Sequence, residues 1–389
     1  MQRELSHMKC DLCNSPDIHR VLDLGQQPLA NKYPHRDQFE TEARFPLIVL
    51  FCEDCRNVQL SEKVSRELMF EDYFYLSSVN PGLVRHFNEL AERLKASQFV
   101  IDVGSNDGVL LAPLKALGVR CLGVEPSVNV SKIANDNGLE TLCSFFDKAA
   151  AQAITEKFGQ PDVIIASSVF THLEDPHSFL EDANSLLSEN GELIIEVEYI
   201  ANIVKTLQFE RFYLDRIFYY SLTSLSKLFE LHGFKITNVE MIEPHGGSLR
   251  VTGHKLSSTV VPDLSVRQML KEEANHLTLD AFTRFRIEID VQIKALRALL
   301  ERFKSEGIAV AGYGAPARVS TICNFAGIGP ELIPFTVDDS PLKQGRFTPG
   351  THIPVVNREF LDQESIKTLI VFAYEYIKDI RVKTNNAYQ

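Results

Sequence analysis

Short apolar runs separated by turn residues are the main pattern in the middle of the chain. Four of them read as strands, at Phe99–Val103, Cys121–Glu125, Asp162–Ala166 and Glu192–Val197. Each run is apolar at nearly every position, as expected for strands that are buried on both faces of a sheet. Because helix-like segments alternate with these runs, the pattern predicts an α/β fold with a parallel, right-handed, doubly wound sheet.

A second block of helix and strand patterns lies in the last third of the chain. Residues 265–303 contain no proline or glycine and repeat apolar residues at helical spacing, which predicts one long helix that ends before Gly307. Three further apolar runs predict strands at Ile308–Gly312, Phe335–Asp338 and Leu369–Phe372. We therefore expect a second, smaller nucleotide-binding-like α/β unit in this part of the chain.

The length of 389 residues is too great for one compact core of ordinary size. At about 100–200 residues per domain, two or three domains are expected. The first 65 residues are loop-rich. A second boundary in the sequence pattern lies near residue 256, at Lys255–Thr259 followed by Pro262. We therefore divide the chain into residues 1–65, 66–255 and 256–389.

Composition and charge narrow the class of protein. With 44% hydrophobic and 24% charged residues, the chain has the profile of a folded globular protein. Its formal net charge of -12 disfavours nucleic acid as a partner. The sequence contains no run of about 18 apolar residues, so we expect no transmembrane helix. The first residues lack the apolar core of a secretion signal. We expect a cytoplasmic protein without a membrane partner, either a monomer or a small homo-oligomer.

Two cysteine pairs, Cys10-x-x-Cys13 and Cys52-x-x-Cys55, indicate a metal site. Each pair can place two thiolates on one tetrahedral ion, so the two pairs complete a four-cysteine zinc site with no open catalytic position. The alternative is four free cysteines in a reducing compartment. The odd total of seven cysteines disfavours a disulfide framework. We predict a structural Zn²⁺ ion in a module that helps to close the active site.

A glycine loop follows the first of the four central strands. In Asp102-x-Gly104-x-x-x-Gly108 glycine lets the backbone approach a ligand closely. Glu125 ends the next strand, where a carboxylate can accept hydrogen bonds from the ribose of an adenosine. A dinucleotide fingerprint needs glycine at Asn106, so the loop favours S-adenosylmethionine over NAD, although a plain strand–helix turn has a similar pattern. We also assign to this cofactor site Asp102, Ser105, Asn106, Phe146 and Ser167.

Several motifs resemble those of a known family. They are the four-cysteine module, Gly104–Gly108, His245–Arg250, Gly312–Ala317, Pro341–Arg346 and Pro349–Pro354. In this order, over nearly the whole chain, they resemble the sugar C-methyltransferases that act on thymidine diphosphate-linked deoxysugars. The resemblance implies a zinc-binding module, a central class I S-adenosylmethionine methyltransferase domain with a Rossmann-like fold, and a smaller C-terminal Rossmann-like α/β domain that helps to hold a nucleotide-linked sugar.

Candidate substrate ligands lie mainly in the later motifs. His245-Gly246-Gly247-Ser248 is a compact turn that can hold hydroxyl groups or an anion, although a plain hairpin has the same pattern. Arg318, Lys343 and Arg346 are candidate partners of a diphosphate, while each alone is more often a solvated surface charge. With the resemblance we also assign to the substrate site Tyr75, His245, Ser248, Arg250 and Tyr313.

The family resembled by this chain methylates a sugar carbon next to a ketone, after a base removes the α-proton to give an enediolate. Its members usually carry Tyr-His-Glu-His where this chain has Tyr213-Leu214-Asp215-Arg216, so the usual histidine base is missing. His172 matches a histidine that the family places near the substrate. Three interpretations stay open: Tyr213, Asp215 and His172 carry the proton transfer, or the methyl acceptor is an oxygen or nitrogen, or the chain binds its ligands without turnover.

Overall fold

The computed structural model of the chain describes residues 8–65, 76–384 and 387–388. Its strands are β1 (Ile18–Pro28), β2 (Arg44–Cys52), β3 (Val58–Leu60), β4 (Phe99–Val103), β5 (Arg120–Val124), β6 (Thr141–Leu142), β7 (Val163–Ser167), β8 (Glu192–Glu198), β9 (Phe218–Tyr219), β10 (Phe234–Ile242), β11 (Ser248–Lys255), β12 (Val310–Tyr313), β13 (Thr336–Val337), β14 (Val355–Val356) and β15 (Thr368–Val371).

The α-helices of the described residues connect and cover these strands. They are α1 (Pro81–Arg93), α2 (Leu111–Ala116), α3 (Val128–Asp136), α4 (Lys148–Phe158), α5 (Pro176–Leu186), α6 (Ile200–Lys205), α7 (Leu222–Leu231), α8 (Leu264–His276), α9 (Leu279–Ser305), α10 (Ala317–Ala326), α11 (Arg358–Gln363) and α12 (Ile377–Lys383). None of these helices is long and apolar enough to cross a membrane.

The largest sheet has seven strands in the order β10-β11-β8-β7-β4-β5-β6. All four central runs form strands of this sheet, as predicted. Its two faces are both covered, because alternate residues of β4 point to opposite sides. Val100 packs in a cluster with Phe87 of α1, whereas Ile101 packs in a cluster with Phe179 of α5. The predicted α/β architecture is therefore confirmed.

One strand of this sheet contradicts the prediction that all of its strands run parallel. β11 pairs antiparallel with both β10 and β8. The physical reason is the connection between β10 and β11, which spans only residues 243–247. A parallel crossover needs about a dozen residues or more, so a link this short can only form a hairpin.

The long helix predicted over residues 265–303 is in fact two helices. α8 ends at His276 and α9 begins at Leu279. Thr278 is the N-cap between them, and its side chain accepts a hydrogen bond from the backbone amide of Ala281. A single capping threonine therefore ends one apolar-periodic segment and begins another.

Two smaller sheets flank the central one. The first has the order β1-β2-β3-β9 and is antiparallel, so that β9 of the middle segment completes a sheet of the cysteine-bearing segment. The second has the order β14-β13-β12-β15 and is parallel, as expected for a smaller C-terminal α/β unit. The domain borders at residues 65/66 and 255/256 stay predictions.

Candidate active site

The four predicted zinc ligands meet at one point. The sulfur atoms of Cys10, Cys13, Cys52 and Cys55 all lie within 4.8 Å of one another. The sulfur atoms of Cys10 and Cys55 are 3.5 Å apart, and those of Cys13 and Cys52 are 3.6 Å apart. Thiolates held tetrahedrally at about 2.3 Å from Zn²⁺ stand about 3.8 Å apart. The side-chain amide of Asn57 lies 3.9 Å from the Cys10 sulfur, where it can stabilise thiolate charge. The arrangement therefore fits a structural zinc ion.

The glycine loop lies where the order of the central sheet reverses, between the neighbouring strands β4 and β7. Ligands of open α/β sheets bind in the crevice at such a point. Gly104 has a φ of 72°, and a Cβ there would overlap Val169, which follows β7. Gly108 has a φ of 85°, and a Cβ there would overlap Leu139. Only glycine fits both positions, and the loop backbone consequently lies close to the end of β7.

Glu125 is buried in the same crevice. Its carboxylate accepts hydrogen bonds from the backbone amides of Asn106, at 3.1 Å, and Ser127, at 2.8 Å. These bonds fix the glycine loop to the end of β5. Since each carboxylate oxygen can accept more than one hydrogen bond, Glu125 keeps capacity for a ribose hydroxyl, and this contact stays a prediction.

Some polar side chains of the glycine loop have hydrogen-bond partners among the described residues, and others do not. Asn106 Oδ1 accepts a hydrogen bond from the Ser77 amide at 2.9 Å, and Asp107 Oδ2 accepts one from the Ser78 hydroxyl at 2.5 Å. Ser105 Oγ and Asp107 Oδ1 are buried without a hydrogen-bond partner among the described residues. Buried polar atoms without partners are rare in folded proteins, so the loop fits a ligand with polar groups, such as the amino-acid part of S-adenosylmethionine.

Ser167 and Arg250, predicted as a cofactor and a substrate ligand, meet at the buried carboxylate of Glu196. Ser167 Oγ donates to it at 2.5 Å, Arg250 Nε donates at 2.6 Å, and the His86 ring nitrogen lies 2.8 Å away. Burial opposes ionisation, yet His86 and Arg250 lower the pKa of Glu196 to about 2. The pKa of Asp102, in β4, is shifted in the opposite direction: burial and the negative charge of Glu196 raise it.

Half-buried Tyr213 and the buried side chains of Asp215 and Arg216 form a second cluster. Asp215 Oδ2 accepts a hydrogen bond from Asn31 at 2.6 Å, while its Oδ1 is buried and has no partner in the described part of the chain. The Arg216 guanidinium pairs with buried Glu198 and lies 4.7 Å from the centre of the Tyr213 ring. Burial raises the pKa of both Tyr213 and Asp215. The zinc-bearing segment therefore contributes Asn31 to the candidate site.

Two histidines next to this cluster are electrically neutral. The Nδ1 atom of His172 bonds to the backbone carbonyl of Asp215. Because a carbonyl oxygen can only accept, Nδ1 carries the proton and Nε2 carries the lone pair. Burial and the charge of Arg216 lower the pKa of His172 to about 4. Burial likewise lowers the pKa of His245 to about 4, although Glu198 opposes this shift.

The three cations predicted to bind a diphosphate have different partners. Arg318 forms an ion pair with a carboxylate of the C-terminal unit. Lys343 Nζ donates to the carbonyl of Ala315 at 2.8 Å, and Arg346 donates to the carbonyl of Tyr33 at 3.0 Å. Arg346 thus joins the C-terminal unit to the cysteine-bearing segment, whereas the Lys343 bond lies within the C-terminal unit. The diphosphate role of all three cations stays a prediction.

The remaining predicted ligands also have defined surroundings. Ser248 Oγ donates to the carbonyl of Pro244 at 2.9 Å, within the predicted turn. The Tyr313 hydroxyl is buried and has no hydrogen bond to the described residues. Phe146 packs against a second phenylalanine, with ring centres 5.0 Å apart. Tyr75 lies outside the described residues.

Comparison with family models divides the chain into three matched segments. A zinc binding domain matches residues 10–70, a methyltransferase domain matches residues 75–239, and a C-methyltransferase C-terminal domain matches residues 243–389. Over 381 residues the chain is 30% identical to the C-methyltransferase NovU of Streptomyces niveus, which covers 96% of this chain and 91% of that protein. The chain belongs to this C-methyltransferase family. It is an S-adenosylmethionine-dependent methyltransferase with a zinc-binding domain at its N-terminal end.

Other relatives of this C-methyltransferase match a smaller part of it. The ubiquinone biosynthesis O-methyltransferase of Azorhizobium caulinodans is 28% identical over 31% of this chain and 49% of that protein. Among solved structures, the magnesium protoporphyrin IX methyltransferase of Synechocystis PCC 6803 is 18% identical, covers 45% of this chain and 84% of its own, and gives a TM-score of 0.36. The CcbJ methyltransferase of Streptomyces caelestis is 14% identical, covers 47% and 100%, and gives a TM-score of 0.38.

Sequence reasoning missed several side chains that hold the site of this C-methyltransferase together: Asn31, His86, Glu198, Arg211 and Glu375. The sequence did contain a pattern that points to Glu196 and Glu198. Two carboxylates two positions apart in an apolar strand lie on the same face of the sheet. No such pattern points to Asn31, because it is 184 residues away from its partner Asp215.

Proposed function

We propose that this enzyme transfers a methyl group from S-adenosylmethionine to a carbon of a nucleotide-linked keto deoxysugar, through an enediolate. The observation that carries the proposal is the cluster in which the neutral imidazole of half-buried His172 lies beside the buried carboxylate of Asp215 and the buried guanidinium of Arg216. The name of the relative NovU, a C-methyltransferase, supports carbon as the acceptor. The nucleotide is thymidine diphosphate or another nucleoside diphosphate.

In this proposal His172 is the base. Its Nε2 receives the α-proton of the sugar, because the Asp215 carbonyl holds Nδ1 as the donor. A histidine with a pKa of about 4 is in the proton-accepting form at neutral pH, but it is a weak base. The enzyme therefore has to stabilise the enediolate to make the α-proton acidic enough.

Arg216 supplies that stabilisation. Its Nε is buried and donates no hydrogen bond to the described residues, so one N–H of a fixed cation remains for a substrate oxygen. Burial opposes its charge, yet pairing with Glu198 raises the pKa of Arg216 and keeps the guanidinium charged. Because Arg216 is already protonated, it does not serve as a base, and it stabilises the negative charge that develops on the enediolate.

Tyr213 and Asp215 position the sugar. Because burial raises the pKa of Tyr213, its hydroxyl stays protonated and serves as a donor rather than a base. Asp215 Oδ1, which has no partner in the described chain, is available as an acceptor for a sugar hydroxyl. When bound at the glycine loop and Glu125, S-adenosylmethionine supplies the electrophilic methyl group.

Methylation of an oxygen or nitrogen of a related sugar is the second candidate. The observation that favours it is the permanent charge at Arg216: burial opposes that charge, yet pairing with Glu198 raises the pKa of the guanidinium, so this side chain cannot serve as a base. A hydroxyl or amine acceptor loses its proton more readily and needs a weaker base.

Isotope exchange separates the two candidates. The enzyme is incubated in heavy water with a panel of nucleotide-linked keto sugars, with S-adenosylhomocysteine present and no methyl donor. We expect deuterium at the carbon next to the ketone with the wild type and at least about 100-fold slower exchange with His172→Asn. His276→Asn, an exposed histidine of α8, is the matched control.

The product of a parallel reaction with methyl-labelled cofactor then locates the transferred group. A label on carbon together with exchange supports the proposal. A label on oxygen or nitrogen without exchange refutes it in favour of the second candidate. If calorimetry shows binding of S-adenosylhomocysteine but no sugar becomes labelled, the protein binds these ligands without turnover.

A further inference from the structure

A single carboxylate bridges two arginines at the junction of the middle and C-terminal segments. Glu375 lies in the short turn Tyr374–Tyr376. One of its oxygens accepts a hydrogen bond from Arg318 Nη2 at 2.6 Å, and the other accepts one from Arg211 Nη2. Two cations from distant parts of the sequence therefore converge on one anionic group.

The two guanidinium groups are held by other contacts as well. Arg211 Nε donates to Gln208 at 2.5 Å, and its Nη1 lies 3.3 Å from Glu198. Arg318 stacks on the Tyr374 ring, 4.7 Å from its centre. Because these contacts do not involve Glu375, both cations have supports that remain when that carboxylate leaves.

Glu375 does not use every donor at this position. Arg318 Nη1 is buried and has no acceptor among the residues that the structure describes. A carboxylate offers two oxygens and one negative charge, whereas the diphosphate of a nucleotide-linked sugar offers four non-bridging oxygens and two negative charges. A diphosphate therefore fits two guanidinium forks better than Glu375 does.

The turn predicted to hold substrate lies against the same pair. Gly246 has a φ of 74°, and a Cβ there would overlap the guanidinium of Arg211 and crowd the Glu375 carboxylate. His245 has a φ of 56°, in the left-handed region that favours glycine. The backbone of this turn thus approaches the arginine pair as closely as a glycine permits.

We propose that Arg211 and Arg318 form the subsite for a phosphate of the nucleotide-linked substrate, and that Glu375 occupies it in the ligand-free enzyme and is displaced on binding. This inference rests on the proposed function, because it assumes a nucleoside diphosphate group in the substrate. The inference adds Arg211 to the predicted ligands of the diphosphate. It also gives Glu375 the role of an internal competitor that lowers the affinity for phosphate.

The test measures the affinity of the full-length enzyme for thymidine diphosphate by calorimetry. Glu375→Gln keeps the size of the side chain and removes its charge, so we expect binding at least about fivefold tighter, within the usual range of coupling between competing ligands. Arg318→Met should weaken binding by about tenfold or more. Glu364→Gln, an exposed residue of the same segment, is the matched control and should not change the affinity.

Unchanged or weaker binding of thymidine diphosphate by Glu375→Gln would overturn the inference. S-adenosylhomocysteine is titrated in parallel, and its unchanged affinity shows that each variant is folded. Inorganic pyrophosphate should gain affinity in the same variant, since the subsite binds phosphate and not the base. If thymidine diphosphate behaves as expected but no keto sugar is methylated, the proposed function fails while the subsite stands.

Discussion

At the scale of single residues, Glu198 is the shared partner of two arginines of the candidate site. Its carboxylate is buried and pairs with both Arg211 and Arg216. Burial opposes its charge, yet the two arginines lower the pKa of Glu198. A buried charge of this kind contributes little net stability while its partners are present, but it is costly to remove alone.

We expect Glu198→Gln to lower the free energy of unfolding by about 3–5 kcal/mol, because two buried guanidinium groups lose their shared counter-charge. Denaturant unfolding of the zinc-loaded enzyme measures the loss. Glu192→Gln, in the same strand but paired at the surface, should change the free energy by less than about 0.5 kcal/mol. A loss below about 1 kcal/mol for Glu198→Gln would contradict the role assigned to it.

The two neutral histidines predict a pH dependence of stability. His172 and His245 have folded-state pKa values of about 4, below the unfolded value of about 6.5. The unfolded chain therefore binds more protons between these pH values, and the free energy of unfolding falls as the pH is lowered from about 6.5 towards 4, by up to about 1.4 kcal/mol per pH unit for each ring.

Denaturant unfolding at pH 7.0 and pH 5.5 tests this dependence. Here the pH values are about half a unit above and one unit below the unfolded pKa. The wild type should lose more stability than the double variant His172→Gln/His245→Gln, and the exposed control His276→Gln should behave like the wild type. Equal losses in the wild type and the double variant would show that the fold does not hold these rings in the neutral form.

At the scale of elements, local patterns predicted most of the strands, and longer-range features decided the rest. The runs that became β4 and β8 are recognisable because each is apolar within one short window. The direction of β11 depends on the length of the preceding link, and the break between α8 and α9 lies at the N-cap Thr278. The contact of Asn31 with Asp215 depends on how the segments pack, which no local pattern contains.

The close approach of the glycine loop to β7 gives a prediction for one element. Gly104→Ala should weaken S-adenosylhomocysteine binding by at least about tenfold, because the new Cβ overlaps Val169 in addition to the strain of a φ of 72°. Gly159→Ala is the matched control, since Gly159 has a φ of 84° but open space around it. Calorimetry should show normal affinity for this control and partial recovery in Gly104→Ala/Val169→Ala.

If Gly104→Ala binds S-adenosylhomocysteine as tightly as the wild type, the loop is not the cofactor site. If Gly159→Ala loses affinity to the same degree, backbone strain alone explains the effect, and the contact with Val169 is irrelevant.

At the scale of the whole molecule, the three segments share contacts around one site. The zinc-bearing segment reaches the middle segment through Asn31 and the C-terminal unit through Tyr33, whose hydroxyl donates to the Ala315 carbonyl. The C-terminal unit in turn bonds to the middle segment, as Thr321 Oγ1 donates to the carbonyl of Phe212 at 3.0 Å. We therefore expect loss of the zinc ion to disturb the contact between Asn31 and Asp215.

We expect Cys13→Ser to lose its zinc, because three thiolates and a hydroxyl bind Zn²⁺ much less tightly than four thiolates. The variant should keep its affinity for S-adenosylhomocysteine but lose at least about tenfold in sugar methylation, since Asn31 is no longer held against Asp215. Metal analysis and methyl-transfer assays measure both effects. Cys143→Ser, at an exposed cysteine outside the cluster, should retain one zinc per chain and full activity.

The pairing of β9 with β3 imposes an order on biosynthesis. Val58 and Gln59 pair with β2 on one side, and they find their second neighbours only when Tyr219 and Phe218 have left the ribosome. Until then the nascent N-terminal sheet has an open edge, of the kind that readily recruits a foreign strand. Early metal loading would fix the cysteine knuckles during this interval, so zinc starvation during growth should favour aggregation of newly made chains.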